Sequence, residues 1–320
     1  MRALRHLLPS LSIAVALLSL AAAQPARAAD HLTVLLDWFV NPNHGPLVIA
    51  QAIGAYQRAG LAVSFIEPAD PTMPPRLVAS GHGDIALDYQ PQLYQQVANG
   101  LPLVRIGALI DRPLDTLVAL KGRGIAKIAD LRGKRIGYNE VGGAVNLAEL
   151  RRMLQTGGLT MADVTLVNVG TSLTTALLTH QVDAVGVDRN FEPFELADKG
   201  APTIGFDYEK FGVPTSENLV MVVRRGSEHD ARYPRFLAAV KEGAAYIRAH
   251  PEDAWKLFIR AYPNANNRLN HDAWTATLPY FAADPAALDS AKYDRFAAFL
   301  TAEKVIKAPP TLATYALQLK

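Results

Sequence analysis

Apolar positions along the chain fall into short runs separated by stretches of helical spacing. Residues 32–37 form an apolar run of strand length, which the turn-forming segment 41–45 (NPNHG) interrupts. Residues 47–59 carry apolar side chains at helical spacing and stop at Gly60. A second strand is predicted over 61–66, a helix over 75–80 closed by Gly81, and a third strand over 84–88. The same order returns further on. Strands are predicted over 134–138, 164–169 and 183–187, with helices over 144–155 and 171–179 between them. Both copies enter their third strand through an Asp followed by small and apolar residues, Asp84-Ile-Ala and Asp183-Ala-Val. Strand–helix alternation of this kind implies parallel sheets covered by helices. The repetition implies two α/β lobes in one chain; a single large doubly wound sheet is the alternative.

The joins fall where the pattern breaks, near 116–124 and 215–223. The run 219–223 is read as a strand returning to the first lobe, followed by a mostly helical tail (233–250, 251–262, 293–301). The expected division is a first lobe of 29–117 plus 221–320 and a second lobe of 118–220.

The N-terminus reads differently. A short basic stretch (Arg2, Arg5) precedes an apolar segment, and the small residues around Ala28 and Ala29 suit a signal peptidase. Residues 1–28 are therefore expected to be a cleaved secretory leader, an uncleaved anchor being the alternative. Of the 32 Lys and Arg residues, Arg2, Arg5 and Arg27 lie before residue 29, where no acid lies, so 29 basic residues face 30 acidic ones in the remainder. That balance gives no reason to expect a nucleic-acid partner. The sequence contains no cysteine, which excludes disulfides, cysteine–zinc sites, thiol catalysis and lipid attachment to a leader cysteine. A cleaved leader without a lipid anchor leaves the chain free, which points to a periplasm and to a monomer.

In parallel α/β sheets ligands bind beyond the carboxyl ends of the strands, and a cleft between two lobes brings two such ends together. The loops at those ends hold Trp38, Phe39, Tyr89, Tyr138, Phe191 and Phe194, flat side chains suited to sandwiching a planar heterocycle. Asp37, His44, Asp88, Asp188 and Glu192 stand beside them as hydrogen-bonding groups for ring nitrogens and an amino group. Asp37 as a turn cap and the aromatics as interface plugs are the competing structural roles. In the segment Tyr138-Asn139-Glu140-Val141-Gly142-Gly143, the glycine pair opens a helix and offers backbone N–H groups to an anion, or merely makes a turn. His44 and His82 lack the spaced partners of a metal site, and no serine has a nucleophile context. No catalytic residue, metal or cofactor is expected.

The ordered set Leu35-Leu-Asp-Trp38, Asn43-His44, Gly54-Ala-Tyr56, Glu67-Pro68, Gly81-x-Gly-Asp84, Leu131-Arg-Gly-Lys-Arg-Ile-Gly-Tyr138 and Gly212-Val-Pro-Thr215 resembles the family that joins solute-binding proteins for thiamine-pyrimidine precursors to the eukaryotic pyrimidine synthase of thiamine biosynthesis. The resemblance implies a periplasmic-binding-protein type II fold with two interlobe crossings, and a partner ABC permease and ATPase. It implies hydroxymethylpyrimidine or its formylamino analogue as ligand, with Trp38 and Tyr89 stacking on the ring and His44 and Glu192 as polar pocket residues. Segment 138–143 corresponds to the phosphate loop of the synthase but departs from its sequence. Riboflavin, a sulfonate such as taurine, or nitrate are the other solutes such a receptor takes. The synthase is the enzymatic alternative, and its cysteine-rich segment is replaced here by Pro214-Thr-Ser-Glu-Asn218.

Overall fold

A computed structural model describes residues 29–139, 143–308 and 311–319. The expected leader, residues 1–28, lies outside the described residues, as do Glu140 and Gly142.

The first lobe begins with β1 (Asp30–Leu35), α1 (Gly45–Ala52), α2 (Ala55–Arg58), β2 (Leu61–Ile66), α3 (Pro74–Ala79), β3 (Ile85–Asp88), α4 (Gln90–Ala98) and β4 (Leu103–Ile110). The second contains β5 (Asp115–Leu120), β6 (Arg135–Tyr138), α5 (Gly143–Thr156), β7 (Thr165–Asn168), α6 (Leu173–Leu178), β8 (Ala184–Asp188), α7 (Glu192–Asp198) and β9 (Thr203–Asp207). The chain then returns through β10 (Leu219–Arg224) and ends in α8 (Arg232–Ala249), α9 (Pro251–Ala261), α10 (Arg268–Thr277) and α11 (Ser290–Ala302). The single helix expected over 47–59 is two, because the chain turns at Gly54, whose φ of 73° suits glycine.

Both sheets follow one plan. Their strand orders are β2-β1-β3-β10-β4 and β7-β6-β8-β5-β9. In each, four strands share one direction and the fourth in order, supplied by a crossing, runs antiparallel to both its neighbours. The internal repeat seen in the sequence is thus a repeat of topology, and the architecture is the two-lobed α/β fold of periplasmic binding proteins. The crossings run over 111–114 and 208–218, so the expected lobe borders at 117/118 and 220/221 fall inside β5 and β10.

The first lobe's sheet is packed between helices by residues that alternate across its strands. Val34, Ile85, Ile106 and Met221 are buried on one face with Leu47, Phe236 and Trp274. Helices α1 and α8 meet at Gly243, where an added Cβ would stand 2.3 Å from the Pro46 carbonyl oxygen. At the return crossing, Ser216, Glu217 and Asn218 are each 3% exposed. Glu217 there forms a buried ion pair with Arg105 of β4 and receives a hydrogen bond from Tyr293 of α11. Among the described residues no helix is long and apolar enough to cross a membrane.

Candidate functional site

Asp37 follows β1 by two residues and is buried. His44 accepts the Asn41 backbone N–H at Nδ1 (3.1 Å), so its Nε2 carries the proton and donates to Asp37 Oδ1 at 2.9 Å. Tyr89, at the start of α4, donates its hydroxyl to Asp37 Oδ2 at 2.7 Å. Burial pushes the Asp37 carboxyl up, but the His44 and Tyr89 hydrogen bonds outweigh it and hold the group below the usual carboxylate range. The result is a fixed anion whose two oxygens lock a loop and orient an aromatic ring.

Across from this group lies a cleft of about 380 Å³ between the two lobes. The first lobe lines it with Asp37, Trp38, Phe39, Asn43, Tyr89 and Gln92. The second contributes Asp115, Asn139, Asp188, Phe191, Glu192 and Tyr208. Glu192, the first residue of α7, accepts the Asp188 backbone N–H at 3.0 Å. Burial pushes Glu192 up to about 7. Burial, with repulsion from Glu192, Asp115 and Asp37, also raises Asp188 far above its ordinary value. Burial likewise raises Asp115, against the pull of Arg189. Four carboxyl groups therefore face one small space, and three of them resist ionisation there.

Among the described residues no Lys or Arg lines this cleft. Arg189 is the basic side chain in its neighbourhood by sequence. Its guanidinium is spent on Glu209, at 2.7 Å through both Nη1 and Nη2, and on the Leu114 and Asp115 carbonyls. The cleft is built to receive hydrogen-bond donors and a flat apolar surface, and is poorly suited to an anion.

The structure places the sequence-predicted residues unequally. Asp37, Trp38, Tyr89, Asn139, Asp188 and Glu192 meet in the cleft. His44 does not reach it. At 1% exposure it stands behind Asp37, so the expected pocket role is corrected to that of a buried support. Tyr138 lines a small recess beside the cleft, and Gly143 lines a second chamber described below. Phe194 is not among the lining residues, whereas Phe191 is. Asp115 and Tyr208 were not expected. Asp115 sits at the start of β5 opposite Asp188, the last residue of β8. Tyr208 follows β9 and approaches so closely that a Cβ on Gly186 would stand 2.8 Å from its hydroxyl.

Side-chain hydrogen bonds hold the lobes to one another at the cleft edge. Asn190 donates to Asn43 Oδ1 and to Thr277 Oγ1, both at 2.7 Å. Arg268 of α10 pairs with Asp198 of α7, and Arg151 and Arg152 of α5 pair with Glu303 beyond α11. The Asn190 bond to Asn43 ties the loop after β8 to the loop after β1 across the interface.

Comparison with known proteins bears on the family and the fold. A Haemophilus influenzae protein named for thiamine biosynthesis is 43% identical over 298 residues, covering 92% of this chain and 94% of its own. A Legionella pneumophila protein named 4-amino-5-hydroxymethyl-2-methylpyrimidine phosphate synthase is 29% identical over 257 residues, covering 79% and 80%. Among solved structures, the alkanesulfonate-binding protein of Xanthomonas axonopodis pv. citri superposes with a TM-score of 0.70 at 18% identity, over 93% of this chain and 100% of that one. A Candida albicans protein described as having the generic periplasmic binding protein fold gives 0.69 at 18% identity, over 91% and 97%. The sequence profile described as NMT1/THI5 like matches residues 41–254, which span most of both lobes and the return crossing. Profile, long-range identity and fold converge, and the chain belongs to the NMT1/THI5-like family.

Proposed function

We propose that this protein is an extracytoplasmic solute receptor that captures a thiamine pyrimidine precursor, hydroxymethylpyrimidine or its formylamino analogue, and presents it to an ABC importer. The observation that carries the reading is the cleft itself. Trp38, Phe39, Tyr89 and Phe191 offer flat walls, while Asp37, Asp115, Asp188 and Glu192 offer acceptors to an amino group and a ring nitrogen. Each lobe supplies part of the site, so a bound ligand stabilises the closed arrangement through contacts that the open one lacks. The absence of a described cation from the cleft disfavours sulfonates and nitrate as ligands. Periplasmic residence and the importer partners follow from the receptor reading and the leader expected at 1–28.

The relatives named as synthases make catalysis the alternative. In the segment 214–218, Ser216, Glu217 and Asn218 are buried while Thr215 is exposed, and the sequence has no thiol to supply there. That supports a receptor. The test is calorimetric titration of the ligand-free protein with hydroxymethylpyrimidine, its formylamino analogue, thiamine, riboflavin and taurine. One-to-one binding of a pyrimidine alone is the expected result. Silence from both pyrimidines, or formation of pyrimidine phosphate by the purified protein, overturns the reading.

A further inference from the structure

Beside the main cleft lies a second chamber of about 260 Å³. The two share Asp37, Tyr89 and Gln92 as a common wall. Asp88, Gln92 and Gln96 recur at four-residue spacing from the end of β3 along α4, and all three line this chamber. Their acceptors are oddly placed for purely structural groups. Asp88 is 3% exposed; its Oδ1 accepts from Gln96 Nε2 at 3.2 Å, and its Oδ2 is buried with no partner. Gln92 Oε1 and Gln96 Oε1 are also buried and without partners. Buried acceptors without donors are costly, and three on one chamber wall mark a place where a donor is missing. Burial and the nearby Asp37 charge push the Asp88 carboxyl up to about 7, so a proton on Asp88 satisfies at most one of the glutamines. The basic group at the chamber, Arg76, is exposed at its rim.

We propose that this chamber is a subsite for a nitrogen-bearing arm of the ligand, an amine or amide whose N–H groups donate to Asp88, Gln92 and Gln96 while the ring occupies the main cleft. The inference rests on the receptor reading and narrows it, because it selects among planar heterocycles by the arm they carry. The arm passes the Tyr89 ring, which Asp37 holds in place.

The experiment compares two pyrimidines that differ only in that arm, 4-amino-5-aminomethyl-2-methylpyrimidine and 4-amino-2,5-dimethylpyrimidine, by calorimetry on the full protein. The wild-type protein is expected to prefer the aminomethyl compound by about tenfold or more, the gain typical of a hydrogen bond to a charged group. Asp88→Asn, which mimics a protonated carboxyl, and Gln96→Leu are each expected to bring the preference close to unity. A preference that is absent in the wild type, or survives both substitutions, overturns the subsite. Should neither pyrimidine bind, the pyrimidine reading fails separately. The chamber is then tested by the side-chain amide resonances of Gln92 and Gln96 under titration with benzylamine and benzyl alcohol. Shifts with the amine alone retain the subsite; shifts with neither or with both reject it.

Discussion

Glu217→Gln removes the negative half of an ion pair that solvent does not reach. Arg105 is 0% exposed and Glu217 3%. The Arg105 Nε and Nη2 atoms donate to the two Glu217 oxygens at 3.2 and 2.9 Å, and Nη2 also reaches the Ala287 carbonyl at 2.7 Å. Tyr293 donates to Glu217 Oε2 at 2.6 Å, and the Glu217 backbone N–H donates to Gln90 Oε1 at 2.7 Å. One residue of the return crossing is therefore joined to β4, α4 and α11. An amide keeps one acceptor oxygen and none of the charge, which leaves a buried guanidinium uncompensated. Breaking such a pair from one side costs about 3–5 kcal/mol, a large part of the roughly 5–15 kcal/mol by which domains are stable. Urea unfolding of Glu217→Gln, Arg105→Met and the double variant measures this. The double variant is expected to be markedly more stable than the sum of the single losses allows, because it removes both charges. A Glu217→Gln loss below about 1 kcal/mol, or additive single losses, would refute the assignment of the pair as a pin.

Three further outcomes follow from the geometry. Trp38→Ala is expected to weaken binding of a planar ligand by at least about tenfold, since stacking and apolar burial are lost together; calorimetry with an unchanged affinity would remove Trp38 from the ring site. Gly243→Ala is expected to destabilise by about 1–3 kcal/mol through overpacking of α1 against α8, read as a lower urea midpoint; an unchanged midpoint would mean the helices part without cost. The raised carboxyls Asp88 and Glu192 set a pH dependence. Below the unfolded carboxylate pKa each is protonated in both states and contributes nothing. As the pH rises from about 4 to about 7 the unfolded chain ionises first, so the folded state loses stability relative to it. The ligand-free protein is therefore expected to unfold at lower urea near pH 8 than near pH 5, with a flatter profile for Asp88→Asn; a wild-type profile that rises over this window would contradict these shifts.

Much of the fold was legible because parallel strands in these lobes are short, continuous apolar runs bounded by Gly and Pro. The strand over 61–66 was read to the residue. Helix α4, QPQLYQQVA, shows no clear apolar period because its buried positions include Gln90 and Pro91 beside Leu93 and Tyr94. β5 lies where the sequence pattern predicts a join, and β9, with its central glycine, carries no strand signal. Those two omissions explain what was missed at the site. The rule that ligands sit at carboxyl ends of strands finds Trp38, Tyr89 and Asp188, but β5 runs antiparallel, so its amino end carries Asp115 to the cleft. Tyr208 follows the carboxyl end of β9 and becomes visible only once that strand is recognised. His44 was misplaced because sequence shows that it lies near the site, but not which side of Asp37 it occupies.

The central position of β10 between β3 and β4 has a consequence for the order in which the chain acquires structure. The second lobe, from β5 to β9, is one uninterrupted segment, so its sheet has every strand once residue 207 has been made. The first lobe at that moment holds β2-β1-β3 on one side and a detached β4 on the other, with no ladder between them. Its sheet closes only when residues 219–224 arrive, and the contacts they make reach back more than one hundred positions, the kind of distant pairing that forms slowly. The lobe that begins first is thus completed last. A nascent chain stopped short of β10 carries one finished lobe and one open sheet with two unpaired strand edges.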